Sequence, residues 1–100
     1  MAKLLFSNKA VEDLTNIWNY TVEMWSEAQA DKYYAQLVGS CREIADSTRP
    51  SGREYAEIMA GLFGYRTDKH IVFYRLLSED AVEIIRILHE RMDLKTRIGD

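Results

Sequence analysis

The sequence predicts a small α+β domain in which an α-helical hairpin packs on an antiparallel sheet. Three observations support this class. Apolar residues recur at helical spacing in the first half, β-branched and aromatic residues dominate residues 70–89, and a Pro-Gly break separates the two regions. A length of 100 residues with 47% apolar residues suits one core, so residues 1–100 are expected to form a single domain.

The first predicted elements are a short strand and an amphipathic helix. Residues 3–6 are an apolar segment suited to an edge strand, and Ser7 follows as a candidate N-cap. Polar residues such as Glu12 and Asp13 fill one face of the helix, where we expect both carboxylates to be solvated. The apolar positions have i, i+3, i+4 spacing: Ala10, Leu14, Ile17, Trp18, Val22 and Trp25.

A second helix is predicted to begin at Ser26, because residues 26–29 have the S-x-x-Q form of a capping box. The two helices are so close in sequence that they must either fold back on each other or meet end to end. A hairpin buries both apolar stripes and is therefore favoured. The second stripe comprises Ala30, Tyr33, Tyr34, Leu37, Cys41, Ile44 and Ala45.

A break and three further strands follow. The break, residues 48–53, contains the only proline of the chain and a glycine two residues later. Strands are predicted over residues 54–63, 70–77 and 82–89, with a bulge or bend at Gly61 and Gly64. Turns are predicted at residues 64–68 and 78–80, and a short charged tail or helix completes the chain.

The last two predicted strands carry apolar residues on both faces. Strict alternation in the final strand groups Ile84, Arg86 and Leu88 on one face and Ile85, Ile87 and His89 on the other. The helical hairpin can cover only one face, and the tail can shield the other only in part. The pattern therefore favours a partner chain over the sheet, unless the tail closes the gap.

Composition and charge argue against several classes of protein. No apolar run approaches the roughly 20 residues that span a bilayer, and the N-terminus lacks the apolar core of a signal peptide, so we expect no membrane association and a cytoplasmic location. The net charge of −3 argues against direct binding to nucleic acid. The lone Cys41 excludes an internal disulfide and a cysteine-based metal site, and its position favours a core residue.

No motif for catalysis or for a metal or cofactor is recognisable, and we expect none to be bound. His89-Glu90 begins like the metalloprotease motif H-E-x-x-H, but Asp93 stands where the second histidine is needed. Nucleophile motifs and the P-loop are absent. His70 and His89 are therefore interpreted as hydrogen-bonded structural residues.

Arg86 leaves two interpretations open, because a charge in mid-strand is costly unless it is paired. It pairs with Glu83, Glu57 or a tail carboxylate, or it contacts a phosphate or carboxylate on an open sheet face. For the aromatic residues of the helices, core packing is favoured over a partner groove.

Six blocks of sequence span nearly the whole chain in one register: Asp13-Leu14 with Ile17-Trp18-x-Tyr20, Trp25-Ser26-x-x-Gln29-Ala30-x-x-Tyr33, Pro50-x-Gly52, Glu57-Ile58 with Gly61-Leu62, residues 70–75 (HIVFYR), and residues 87–93 (ILHERMD). Together they resemble the RelE/ParE toxin superfamily, and the ParE branch in particular. The order strand, helix, helix, three strands and charged tail is also similar.

The resemblance implies a toxin of a type II toxin–antitoxin module, of the kind that serves plasmid stabilisation. ParE toxins bind DNA gyrase and stabilise its complex with cleaved DNA, so the implied activity is inhibition by binding rather than enzyme catalysis. Such a toxin would contact nucleic acid only indirectly, through gyrase. A ParD-like antitoxin neutralises the toxin by wrapping its C-terminal segment along the helical hairpin and the sheet, which implies a hetero-oligomer.

The resemblance also suggests site residues. Those expected to face gyrase lie in the last strands and the tail: Tyr74, Arg75, Arg86, His89, Arg91, Met92, Asp93 and Arg97. Those expected to face the antitoxin are Trp18, Tyr33, Leu37 and Phe73. The chain departs from the ParE pattern at Phe63, where a basic residue is common and where the nearest one here is Arg66. This departure bears on potency or target choice.

The alternative is a RelE-like toxin, which cleaves mRNA on the ribosome with a cluster of basic residues and a C-terminal tyrosine. Arg86 could occupy one such basic position. The tail from Glu90 to Asp100 has no tyrosine, and the helix-to-strand region has no lysine cluster. Without a base and concentrated positive charge, RNA cleavage loses its main sources of rate, so ParE-like inhibition is favoured. A third possibility is a relative that has lost toxicity.

Overall fold

A computed structural model of the chain describes residues 3–47, 52–78, 80–91 and 98. Its elements are β1 (Lys3–Phe6), α1 (Asn8–Met24), α2 (Glu27–Asp46), β2 (Arg53–Glu54), β3 (Phe63–Thr67), β4 (His70–Ser78) and β5 (Ala81–His89). The strands form one sheet in the order β1-β5-β4-β3-β2. The predicted α+β class is confirmed, but the sheet is mixed, because β1 runs parallel to β5 while the other pairs are antiparallel.

Both helices begin at the predicted capping residues. The hydroxyl of Ser7 accepts a hydrogen bond from the Ala10 N–H at 3.0 Å, and the hydroxyl of Ser26 accepts one from the Gln29 N–H at 3.0 Å. Only two residues separate α1 from α2, and the helices pack side by side as the predicted hairpin. The chain reversal is thus fixed by local hydrogen bonds at the second cap.

The hairpin covers one face of the sheet and forms the larger core. Small residues such as Ala10 and Cys41 are fully buried, which lets the helices approach the strands closely. Partly buried residues of β1 and β3 close the margin of this core. Its buried members are Ala10, Leu14, Leu37, Cys41, Ile44, Val72, Tyr74, Val82, Ile84 and Ile87.

The opposite face of the sheet carries a second apolar cluster. Its buried members are Leu62, Ile71, Phe73, Leu88 and Ile98, with Tyr55, Ile58 and Ile85 packed against them. The prediction of an uncovered apolar face is therefore wrong for the centre of the sheet. The cover comes from the segment between β2 and β3 and from Ile98, so the chain itself shields this face.

The segment between β2 and β3 is not the strand predicted over residues 54–63. The N–H groups of Ile58 and Met59 both donate to the carbonyl of Tyr55, at 3.0 and 3.1 Å, and Gly61 has a φ of +77°. These turns bring Tyr55, Ile58 and Leu62 to the same face of the sheet. Their spacing of three and four residues is that of a turn of helix and does not match the two-residue period of a strand.

The predicted turn at residues 64–68 is instead mostly strand. β3 occupies residues 63–67, and the reversal into β4 takes only Asp68 and Lys69. Asp68 supplies the left-handed backbone of this tight turn with a φ of 54°, a conformation that Asp tolerates better than most residues.

A bulge in β5 changes the predicted faces of that strand. Phe73 pairs with Arg86, but Tyr74 pairs with Ile84, so one residue, Ile85, is extra. Ile84 and Ile87 consequently lie on the helical side, while Ile85 and Leu88 lie on the other. The prediction from strict alternation is wrong here, because a bulge resets the two-residue period.

Several large apolar side chains stay exposed outside these clusters. They concentrate on the helical hairpin and at the C-terminal end of β4: Val11, Tyr20, Met24, Trp25, Tyr34, Met59, Leu76 and Leu77. Isolated exposure of this kind is ordinary on a protein surface.

Candidate functional site

Arg86 is held by α1. Its Nε donates to Asp13 Oδ2 at 2.8 Å and a terminal guanidinium nitrogen donates to Asp13 Oδ1 at 3.0 Å. The backbone N–H of Ile87 donates to Asp13 Oδ2 at 3.0 Å. The two side chains are only 15% and 12% exposed. The prediction that Asp13 is solvated is therefore wrong, and its carboxylate is the partner of Arg86.

Two of the acids proposed from sequence as partners of Arg86 are engaged elsewhere. Glu83 binds Arg75 at 2.9 Å, and Glu57 binds Arg53 at 2.8 Å. A phosphate or an acidic partner residue would have to compete with a bidentate carboxylate for Arg86. In this fold Arg86 links α1 to β5, and its charge is paired with Asp13 and is poorly accessible to a ligand.

His70 and His89 face each other as a cross-strand pair at the end of β4 and β5. Their ring centroids are 5.4 Å apart and the angle between the ring planes is 81°, so the rings meet edge to face. The hydroxyl of Tyr33, on α2, lies 2.6 Å from His70 Nδ1, and the N–H of Arg91 donates to His89 Nδ1 at 3.1 Å. Both histidines are hydrogen-bonded, as the sequence predicts.

Burial sets the protonation of this cluster. Burial lowers the pKa of His70 to about 4, and the charge of His89 lowers it further. The nearby carboxylates of Asp68, Asp13 and Glu90 act in the opposite direction and raise this pKa. Burial, and then the charge of Asp68, raise the pKa of Tyr33 to about 12. At neutral pH His70 is therefore uncharged and Tyr33 keeps its proton.

The remaining residues predicted to face gyrase fall in different places. Tyr74 is fully buried and its ring stacks on Phe63 at 5.7 Å, so it offers no surface. Arg75 is half exposed beside Glu83. It lies five residues along β4 from the His70–His89 pair, about 16 Å at the rise of an extended strand. The structure therefore does not group Arg75 with His89.

Basic side chains do gather near His89. Arg91 is exposed, and Arg66, two-thirds exposed on β3, forms an ion pair with Glu90 across the intervening strand β4. Met92, Asp93 and Arg97, also predicted to face gyrase, lie outside the described residues. Phe63 is partly buried against Tyr74, so the position that often carries a basic residue serves the core in this chain.

The residues predicted to face an antitoxin divide into surface and core. Trp18 is partly exposed on α1, and its indole Nε1 donates to Asp31 Oδ1 on α2 at 3.0 Å. Tyr33 is partly buried beside His70. Leu37 and Phe73 are 0% exposed, so both are core residues that present no surface in this conformation. The sequence pattern does not distinguish an apolar residue at the buried centre of a stripe from one at its exposed edge.

Sequence reasoning missed the most exposed aromatic residues of the hairpin. The helical spacing predicts Trp25 on the buried stripe, but it is the C-cap of α1 and is 77% exposed. Tyr20 is 61% exposed. The exposure of Trp25 could have been predicted from its position directly before the Ser26 cap, because a residue at a helix end no longer follows the helical spacing of the buried face.

Within the described residues, no helix is long and apolar enough to cross a membrane. In the same part of the chain, no three His, Cys, Asp or Glu side chains come together as a metal site. The free thiol of Cys41 is buried, and this burial raises its pKa to about 12, so it remains a protonated core residue.

Comparison with known proteins identifies the family. The profile described as "ParE toxin of type II toxin-antitoxin system, parDE" matches residues 4–94. The chain belongs to the ParE toxin family. Within this family, Toxin ParE1 of Mycobacterium tuberculosis is 32% identical over 93 residues, 93% of this chain and 94% of that protein. Toxin ParE of Escherichia coli is 32% identical over 100 residues, the whole chain and 96% of that protein.

A solved structure supports the same fold. A chain of the structure titled "Chromosomal ParDE TA system from P. aeruginosa" superposes with a TM-score of 0.77, covering 89% of this chain and 96% of that one. The sequence identity is 19%, so this likeness concerns the ParE-type architecture of strand, helical hairpin and sheet. The resemblance found in the sequence motifs is confirmed.

Proposed function

We propose that this ParE-family toxin inhibits DNA gyrase by binding it and stabilising its complex with cleaved DNA, and that a ParD-like antitoxin neutralises it. The observation that carries this proposal is family membership over residues 4–94, with ParE relatives that align along nearly the whole chain. Gyrase works in the cytoplasm, so the toxin acts there as a partner-bound protein rather than as a catalyst.

Protonation and pairing favour this function over RelE-like cleavage of mRNA. In the part of the chain that the structure describes, Arg86 is bound by Asp13, and Nδ1 of His70 lies 2.6 Å from the hydroxyl of Tyr33. A ribonuclease needs a base and an accessible cation at the scissile phosphate. Arg86, His70 and Tyr33 are all engaged in these contacts, and the low pKa of His70 makes its imidazole a weak base.

Exposure refines the two proposed surfaces. The gyrase-facing surface lies at the C-terminal end of β5, with His89 and the exposed Arg91 that follows it. The family resemblance adds the tail residues Met92, Asp93 and Arg97, which lie outside the described residues. Arg75 lies apart from this surface. The antitoxin-facing surface is the outer side of the α1–α2 hairpin around Trp18, where the exposed aromatic residues Tyr20, Trp25 and Tyr34 also lie on the helices or their junction. Tyr33, whose hydroxyl lies against His70, faces the sheet instead.

The test is a gyrase cleavage assay with purified toxin and supercoiled plasmid. We expect linear, gyrase-linked DNA to accumulate with increasing toxin and to decrease when the antitoxin is added in equal amount. Arg91→Ala should weaken trapping, while Arg42→Ala, an exposed arginine on α2, should leave it unchanged. Undiminished gyrase turnover at excess toxin would refute the proposal.

A parallel assay addresses the alternative function. The same toxin preparation is added to a reconstituted translation reaction, and mRNA integrity is followed by primer extension. Intact mRNA together with trapped gyrase supports inhibition of gyrase. Site-specific mRNA cuts that Arg86→Ala abolishes, without gyrase trapping, would instead assign the RelE-like activity.

A further inference from the structure

A groove on the outer surface of the hairpin lies between the two helices. It has a volume of about 350 Å³ and is lined by Thr15 and Trp18 from α1 and by Asp31 and Tyr34 from α2. Tyr34 is 42% exposed, so its ring is available at the mouth of the groove. All four lining residues belong to the two helices, and they combine two aromatic side chains with one carboxylate.

The polar atoms of the groove mostly accept hydrogen bonds. The indole N–H of Trp18 is used, because it donates to Asp31 Oδ1 at 3.0 Å. The hydroxyl proton of Thr15 is used as well, donated to the Val11 carbonyl at 3.1 Å. A carboxylate has about four lone-pair sites, so Asp31 retains acceptor capacity after binding Trp18. The groove therefore suits a ligand group that donates several hydrogen bonds.

Charge and aromatic character select the same kind of group. The two helices carry three Lys or Arg residues against seven Asp or Glu residues, which makes the hairpin acidic. A guanidinium packs flat on an aromatic face while its edge donates to a carboxylate. An anionic group would meet repulsion from Asp31, and a purely apolar side chain would leave part of this carboxylate desolvated and unpaired.

We propose that this groove is a docking site for an arginine side chain of a partner protein, held between the Trp18 and Tyr34 rings and bound by Asp31. The partner is the antitoxin segment along the hairpin, and only this identity rests on the proposed function. The hydrogen bond from Trp18 holds the Asp31 carboxylate at the edge of the indole ring before the partner arrives, so little side-chain entropy is lost on binding.

The experiment uses the two indole N–H signals of the intact toxin in NMR spectra. N-acetyl-arginine methylamide is the probe, and the matched citrulline and leucine derivatives are the neutral and apolar controls. We expect the arginine probe alone to shift the Trp18 signal in a saturable way, with binding in the millimolar range, while the signal of Trp25 stays in place. Salt should weaken the effect.

Two variants make the test specific. Asp31→Asn keeps an oxygen that can accept from Trp18 but removes the charge, and it should weaken arginine binding about tenfold. Asp46→Asn, which removes an exposed carboxylate at the other end of α2, should leave binding unchanged. Equal shifts from the leucine probe, no arginine-specific shift at Trp18, or unaltered binding by Asp31→Asn would each overturn the proposal.

The outcome is independent of the target of the toxin. The Asp31→Asn variant should trap gyrase as the unsubstituted protein does, because Asp31 is not among the residues proposed to face gyrase. Failure of the arginine probe with intact gyrase trapping would reject only the docking site. Failure of gyrase trapping with intact arginine binding would reject only the proposed target.

Discussion

Asp13 and Arg86 join the first helix to the last strand across 73 residues of sequence through two hydrogen bonds of 2.8 and 3.0 Å. The same carboxylate accepts the N–H of Ile87, and Ser7, at the start of the helix, donates its backbone N–H to the Ile84 carbonyl at 2.9 Å and its hydroxyl to the Ile85 carbonyl at 2.6 Å. The N-terminal part of α1 thus satisfies backbone groups around the β5 bulge, where strand pairing is disturbed.

Breaking this pair should destabilise the fold. Asp13→Ala leaves the poorly exposed guanidinium of Arg86 without its carboxylate, and we expect a loss of about 3 kcal/mol in the free energy of unfolding, measured in urea. Glu83→Ala removes the partner of the half-exposed Arg75 and should cost less than about 1 kcal/mol. Equal losses for the two variants would contradict a special role for the Asp13 pair.

Phe73 and Leu37 should behave as core residues rather than as partner contacts. Both are 0% exposed, so Phe73→Ala or Leu37→Ala should lower the free energy of unfolding by about 3 kcal/mol. Trp25→Ala, at the most exposed of the large apolar residues, should change it by less than about 0.5 kcal/mol. A Phe73→Ala protein with normal stability but no antitoxin binding would contradict this assignment.

Stability should decrease on mild acidification because of His70. Its pKa falls from 6.5 in the unfolded chain to about 4 in the fold, so the unfolded state binds the proton more readily. Its stabilising effect is complete above pH 6.5 and is lost progressively toward pH 4. Urea midpoints measured across this range should fall less steeply for His70→Gln than for the unsubstituted protein.

The matched control for the pH effect is His89→Gln. Burial is the larger cause of the lowered pKa of His70 and the charge of His89 the smaller, so this variant should retain most of the acid sensitivity. Identical pH profiles for His70→Gln and the unsubstituted protein would assign the effect to other groups.

Two glycines of the chain should respond in opposite ways to alanine. Gly52 has a φ of +83°, and a Cβ there would lie 2.0 Å from the Gly64 carbonyl oxygen, a backbone atom. Gly52→Ala should therefore cost about 2 kcal/mol or more. Gly39, inside α2, has open space for a Cβ, so Gly39→Ala should stabilise by about 0.5–1 kcal/mol. Thermal melts of the two variants test both signs.

The elements that are fixed by neighbouring residues were predictable. The caps at Ser7 and Ser26, both helices, and the strands β4 and β5 follow from hydrogen bonds and periodicities that extend over a few residues. The family motifs were also readable directly. The segment 55–62 was not, because its side chains are ordered by contact with Phe73 and Leu88, far away in sequence.

The candidate surfaces were predictable only in part. Trp18 and Arg91 are exposed enough to contact a partner, whereas Tyr74, Leu37 and Phe73 are interior. Apolar periodicity identifies a face but cannot tell its centre from its margin, since that depends on which element packs over it.

The sequence alone determined the helical hairpin, the final β-hairpin and the ParE family, because each depends on local geometry or on short blocks of residues. The tertiary structure decided the mixed sheet, the bulge at Ile85 and the pairing of Asp13 with Arg86. These features depend on backbone and side-chain groups that meet only after the chain has folded, and a polar group takes whichever partner burial brings within hydrogen-bonding distance.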